Sequence, residues 1–381
     1  MKKGLRLEVV ETPQYFLQNI SKSKTMLKVN QKPDFSGHTI YVGIDVHANS
    51  WNVSLYCDQQ YLKTFNQPPS TKALHSFLFE SYPGALYKCA YESGFCGYWI
   101  QRSLQNFNID CVVVNAADIP QTDKGIKSKT DKNDSKRIAQ GLQAGLLEPI
   151  YIPDDDLEAD RLLVRCNERF NADLTRAKNR IKSFLYQLGI KLPENFANSN
   201  WSNQFIQWLD QLKLNNGSAT IALRHQVAMV KSIRIQKLAV LRDIRNLLKK
   251  DRYEAIANRL MTTPGVGPLT AAALVTEIHD IRRFSTFKQL NSFVGFYPSQ
   301  FSSGENIHHG KLTTRKHRRL RTLLVEAAWM AIRSDPAMTK AYADLKKRIG
   351  PKRAIVRIAR KLLSKIRAVW MTNTEYQKGI L

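Results

Sequence analysis

From His38 the chain falls into short apolar runs that predict strands. His38–Asp45, Trp51–Cys57 and Tyr61–Phe65 are rich in β-branched and aromatic residues and have tight connections, which suits an antiparallel meander. Ser70 to Phe79 switches to a helical period, with Thr71 near its start. Leu86–Glu92 then reads as a fourth strand, Phe95–Asn106 as a helix and Asp110–Asn115 as a fifth strand. A further helix is expected to begin close to Asp131 and run to Ala144. Residues 1–37 show turn formers without sustained periodicity and read as an extension.

The middle of the chain is helical. Leu163, Cys166, Phe170, Leu174, Ala177, Ile181, Phe184 and Leu188 fall at steps of three and four, close to a heptad seam. A looser seam runs through Val227, Val230, Leu238, Leu241 and Leu248, and Trp201, Phe205, Trp208, Leu209 and Leu212 mark a small helical insert between them. Two such helices of opposite direction make an antiparallel coiled coil, packed on their own core or serving as a dimer arm. Next, Pro264-Gly-Val-Gly-Pro268 between two helical patterns resembles a helix-hairpin-helix. In such a turn Gly265 and Gly267 can bring backbone close to phosphate, although Gly-x-Gly between helices is also common for steric reasons alone. The expected divisions are an extension at 1–37, an α/β domain at 38–150, a helical coiled-coil region at 151–255 and a mainly α domain at 256–381.

Charge narrows the partners. Lys and Arg outnumber Asp and Glu 58 to 32, a formal net charge of +26, which favours a polyanion over an acidic small molecule. From Phe301 onward the counts are 19 basic against 5 acidic residues. There Arg315, Lys316, Arg318, Arg319 and Arg321 open one helix, and Lys352, Arg353, Arg357, Arg360, Lys361, Lys365 and Arg367 line another. A charge run is usually a solvated face, but one sign sustained over two helices favours phosphate. No apolar stretch approaches the ~18 residues a membrane span needs, and no secretory apolar centre follows Lys2 and Lys3. Five cysteines without a C-x-x-C pair read as reduced thiols. The expected location is cytoplasmic, at the nucleoid, with no membrane partner.

Four acids stand out. Asp45 ends Tyr-Val-Gly-Ile-Asp, Glu92 ends Leu-Tyr-Lys-Cys-Ala-Tyr-Glu, and Asp131 and Asp134 lie in Lys127-Ser-Lys-Thr-Asp-Lys-Asn-Asp, beside Lys129 and Lys132. Singly, each reads more readily as a turn, cap or surface residue. Jointly they change the picture, because strand-end carboxylates converge at a sheet edge and a pair three apart shares one helix face. Like charges so close need a cation, and Mg²⁺, with Mn²⁺ as a substitute, is the hard divalent ion that suits oxygen ligands and phosphates. Three strands, helix, strand, helix, strand, helix is also the element order of an RNase H-like domain. A second candidate is Ser303 in Phe301-Ser-Ser-Gly-Glu305, first of all a turn, with Ser302 as its neighbour. Ahead of a cationic helix, a serine there could attack phosphorus and form a covalent phosphoserine. His308 and His309 are near in sequence but have no evident role as base.

Together Y-V-G-I-D-V, Y-E-S-G, K-T-D-K-N-D, P-G-V-G-P-L-T-A and G-F-Y-P-S-Q-F-S-S-G, in this order over about residues 39–370, resemble the DEDD transposases of insertion sequences. These are relatives of the Piv-type invertases and include the bridge-RNA-guided recombinases. The resemblance implies a RuvC-like domain, a coiled-coil connection and a C-terminal transposase domain. It implies Asp45, Glu92, Asp131 and Asp134 as metal-binding catalytic acids and Ser303 as nucleophile. It further implies DNA element ends and target as substrates, a structured guide RNA, and homodimers or homotetramers in which one subunit's acids meet another's serine. Where the family usually has alanine after K-T-D-x-x-D, this chain has Ser135, and the glycine common after the serine turn is absent from Thr313-Thr-Arg-Lys-His-Arg. The alternatives are a Piv-type invertase working without RNA, a resolvase-like nuclease that forms no covalent adduct, and a catalytically silent nucleic-acid-binding regulator.

Overall fold

The computed structural model describes residues 34–120, 131–196, 201–303, 306–312 and 317–379. It divides into two compact units, Met1–Ile152 and Pro153–Leu381.

The first unit is a five-stranded sheet with helices on both faces. Its strands are β1 (Thr39–Val46), β2 (Trp51–Cys57), β3 (Gln60–Gln67), β4 (Leu86–Glu92) and β5 (Asp110–Val114), in spatial order β3-β2-β1-β4-β5. The first three form the expected antiparallel meander; β4 and β5 run parallel to β1. Alternation decides the two faces. Ile40, Val42, Ile44, Trp51, Val53 and Leu55 are fully buried and pack with Leu74 and Leu78 of α1 (Thr71–Ser81) and Ile100 and Leu104 of α2 (Trp99–Gln105). Ser70 caps α1 by accepting from the Ala73 amide. The helix expected from Phe95 starts later, at Trp99, because Gly97 takes a positive φ in the preceding turn.

The opposite face carries small and polar residues, Gly43, Asn52, Ser54 and Ala90, and is covered by α3 (Asp131–Gln143). Gly43 is what admits this helix. A Cβ built there would lie 2.1 Å from the Ser135 carbonyl oxygen and 2.4 Å from the Ala139 nitrogen, distances no side chain tolerates.

The second unit is helical apart from one hairpin. α4 (Asp155–Gln187) and α6 (Gly217–Leu247) pack antiparallel: Leu157 and Val164 share a cluster with Val240, Ile244 and Leu247, while Ile181 and Leu185 share another with Leu223, Val227 and Val230. The seam differs from the expected one at both ends. Val164 and Asn167 are buried where Leu163 and Cys166 were expected, and Leu238 and Leu188 are exposed. The three-four rhythm of α6 passes instead through half-buried Arg234 and Lys237, and Arg234 donates to Trp201 O and Asn203 Oδ1. The insert α5 (Asn203–Gln211) seals one end with Phe205, Ile206 and Leu209.

The remaining helices are α7 (Asp251–Met261), α8 (Pro268–Ile278), α9 (Phe287–Val294), α10 (Arg318–Ser334), α11 (Pro336–Ile349) and α12 (Pro351–Thr372). α8 is buried along its length and forms the centre of this core. The turn between α7 and α8 has a steric explanation. Gly265 has φ +82°, and a Cβ there would lie 2.1 Å from the Ala327 carbonyl of α10, so this glycine serves the approach of another helix. Gly267, with nothing within 4 Å of its built Cβ, caps the start of α8. Gly265→Ala is expected to cost about 2 kcal/mol or more, from the left-handed backbone and the clash combined. Thermal unfolding measures it, and Gly267→Ala is the milder control.

Candidate nucleic-acid-processing site

Asp45 lies near the end of β1 and Glu92 ends β4. These strands are parallel neighbours registered through Ile44↔Tyr91, so the two acids follow at adjacent positions on one sheet edge. Asp45 is also the cross-strand partner of Asn52. The course of α3 brings the second pair to this edge. Gln140 hydrogen-bonds Tyr56, opposite Tyr41 in the sheet, whereas Ser135 bonds Asn52, opposite Asp45. The helix therefore runs antiparallel to β1, and its first turn, with Asp131 and Asp134, extends past the Asp45 end. The sheet edge and the helix start bring the four acids to one pole of the unit.

Two further side chains attend the acids. His47 Nε2 is 3.1 Å from Asp45 Oδ2, and Arg137 donates to Asp134 Oδ1 one turn away. Asp45 and Asp134 are largely screened from solvent, with side chains 19% and 17% exposed. His47 and Arg137 escaped the sequence reading; the spacings Asp45–His47 and Asp134–Arg137 were the available signal. The donor set suits a hard divalent cation, being all carboxylate oxygen. The described residues also bring together His38, Cys57 and Asp58, two of them exposed, at the other end of β1.

Ser303 ends β6 (Pro298–Ser303), which pairs with β7 (Asn306–Leu312) through Ser303↔Asn306 and Ser302↔Ile307. The expected turn thus lies at the tip of a β-hairpin, with a strand between the serine and the cationic helix. His308 and His309 register opposite Phe301 and Gln300, away from the tip. Two bonds join the segments that precede and follow the hairpin. The His317 amide donates to Phe293 O (3.1 Å), and Arg321 donates to Gly295 O (3.3 Å).

His317 caps α10: its Nδ1 accepts from the Leu320 amide, which leaves the proton on Nε2, 3.2 Å from Glu277 Oε2. Glu277 is buried and also receives two bonds from Arg165, at 2.8 and 2.7 Å. Burial alone would raise its pKa; the hydrogen bonds from Arg165 and His317, with the Arg165 charge, outweigh that and hold it well below the carboxylate range. A depressed carboxylate stabilises the fold above its unfolded pKa, about 4.3, and loses that contribution as pH falls through the lower folded value. Glu277→Gln should therefore flatten the acid limb of a melting-temperature profile between pH 7 and 3.

The cations placed by sequence divide into two groups. Arg319 pairs with Glu168 (3.0 Å) and approaches Glu277, and Arg321 is half-buried against Gly295 and the Phe296 ring. Arg318 is exposed, as are Lys352, Arg353, Arg357, Arg360, Lys361 and Lys365 on α12, a helix with no acidic residue. Lys129, Arg315 and Lys316 lie outside the described residues, and Lys132 follows Asp131 in the first turn of α3. No described helix is long and apolar enough to cross a membrane.

Residues 42–190 match the DEDD_Tnp_IS110 profile, described as a transposase, and residues 257–343 match the Transposase IS116/IS110/IS902 family. The Sinorhizobium fredii protein y4qE, named as a transposase, is 29% identical over 244 residues, covering 64% of this chain and 58% of its own length. The transposase for insertion sequence element IS1533 of Leptospira borgpetersenii is 25% identical over 302 residues, 76% of this chain and 84% of its own. That for IS1111A of Coxiella burnetii is 24% identical over 262 residues, 66% and 69%. The first matched segment contains all four acids, and the chain belongs to the IS110-type DEDD transposases of insertion sequences.

Proposed function

We propose that this protein is a DNA recombinase that moves an insertion element by cleaving and rejoining strands through a phosphoserine intermediate at Ser303. The convergence of Asp45, Glu92, Asp131 and Asp134 on one pole of the sheet carries this reading. The sheet order and the covering helix support an RNase H-like, RuvC-like architecture for the first unit, and the helix pair α7–α8 a hairpin-type element in the second. The four carboxylates would hold Mg²⁺, with Mn²⁺ able to replace it; when bound, such an ion stabilises charge on the phosphate undergoing transfer. Asp134 exchanges its Arg137 partner for that role, which frees a guanidinium to meet a phosphate oxygen. At the serine hairpin, the Ser303 hydroxyl forms the new phosphorus–oxygen bond while the bond to the sugar oxygen breaks. The hydroxyl proton ends on the leaving oxygen, and the reverse step reseals the strand without outside energy.

The substrates on this reading are the element ends and a target, selected by a structured guide RNA, with a homodimer or homotetramer bringing one subunit's acids to another's serine. The protein would work at the nucleoid. Exposed cations of α12 and Arg318 would grip phosphates, with log affinity falling against log salt by about 0.9 per duplex phosphate neutralised. Charge reversal at Arg353, Arg357 and Lys361 should flatten that slope in a filter-binding titration. Arg319→Glu should instead lower the melting temperature, since it places an acid against Glu168 and Glu277. An unchanged slope for the α12 variants would make that helix an ordinary solvated face.

A further inference from the structure

The face of the sheet under α3 is more polar than a helix-covered face needs to be. Asn52, Ser54 and Ser135 are buried, yet they are hydrogen-bonded in one connected chain. Ser135 Oγ donates to Asn52 Oδ1 (2.9 Å) and lies 2.8 Å from Ser54 Oγ, which lies 2.7 Å from Thr64 Oγ1. Asn52 Nδ2 donates to Asn66 Oδ1 (2.8 Å), and the Tyr61 hydroxyl donates to Thr64 (3.1 Å).

The direction of the protons follows. The Ser135 proton points at Asn52, so Ser54 must donate to Ser135. Thr64 must then donate to Ser54, and it accepts from Tyr61. One order of donors fits these five bonds, and it spans β2, β3 and α3. The network's buried part, Asn52, Ser54 and Ser135, specifies one register, because a slide of the helix would leave these buried polar atoms without their partners. A network partner, Asn52, is the cross-strand neighbour of Asp45, and Ser135 directly follows Asp134. The chain therefore couples the strand bearing one acid to the helix bearing two others.

We propose that Ser135 is a positioning residue: through Asn52 and Ser54 its hydroxyl locks α3 in register on the sheet and so sets Asp131 and Asp134 against Asp45. The Ser135 hydroxyl meets polar partners on β2, with Thr64 of β3 next in the chain of bonds. The inference rests on the four-carboxylate reading and deepens it.

Binding of Mn²⁺ to the full-length protein, followed by the loss of its free-ion electron paramagnetic resonance signal, separates the two. Ser135→Ala should weaken Mn²⁺ binding by about tenfold while DNA affinity stays as in the wild type. Asn52→Ala should do the same, and the double variant should be no weaker than either single one, because both remove one shared link. A purely structural role would lower the melting temperature with Mn²⁺ affinity intact at a temperature where the variant is folded. That outcome, or additive losses in the double variant, overturns the proposal. Asp134→Ala is the reference: if it binds Mn²⁺ like the wild type, the carboxylate reading itself fails. If only Asp134→Ala weakens binding, the acids stand and Ser135 is not a positioning residue.

Discussion

Alanine at Asp45, Glu92, Asp131 or Asp134 is expected to abolish strand cleavage, by about 10³-fold or more, since each removes oxygen ligands at the reacting phosphate. DNA affinity should change little, because the cations proposed to grip phosphate, Arg318 and those of α12, belong to other elements. Asp45 and Glu92 are fixed by neighbouring parallel strands, and α3 is held by backbone contact at Gly43, so each acid keeps its own place at the sheet edge. Excess EDTA should silence the wild type in the same way, with Mg²⁺ or Mn²⁺ restoring it. Cleavage by labelled oligonucleotide assay in EDTA, or full activity of any one alanine variant, would remove the acids from the chemistry.

Ser303→Ala is expected to bind DNA and yield no covalent protein–DNA product, whereas Ser302→Ala keeps forming it. Ser302 and Ser303 register opposite Ile307 and Asn306. The two serines therefore hold different register positions in the hairpin, and the variants test them separately. Ser303 has the tip position, next to the connecting residues. Denaturing gels of labelled DNA incubated with each variant read the outcome directly. An adduct that persists in Ser303→Ala but disappears in Ser302→Ala would move the nucleophile by one residue.

The placement of the four acids at strand ends and a helix start was legible because both are local signals, and the meander before them is plain in the β-branched runs. Ser135 showed only as a departure from a motif; its partners Asn52, Ser54 and Thr64 are remote in sequence, and nothing local announces a shared buried face. The serine hairpin was read as a turn before a helix because His308, His309 and Gly310 interrupt any strand pattern in β7. Gly265 was left open between a phosphate contact and a steric turn; what makes glycine necessary there, the backbone of α10 some sixty residues onward, has no local signal. Arg319 and Arg321 illustrate the same limit: a cationic run in sequence does not reveal which guanidinium groups turn inward to Glu168, Glu277 or a helix-end carbonyl. The α12 cations, at helical spacing with no acid between them, were correctly placed on a helix.

Peptide mapping of the trapped complex tests the central claim most directly. Wild-type protein is incubated with a labelled element end and Mg²⁺, denatured, digested with nuclease and protease, and the nucleotide-bearing peptide is sequenced by mass spectrometry. The account predicts one modified peptide spanning 298–311 with the nucleotide on Ser303, absent when Asp45 is alanine or when EDTA is present. Cleaved DNA accompanied by no modified peptide, or a modified residue outside this hairpin, would contradict it.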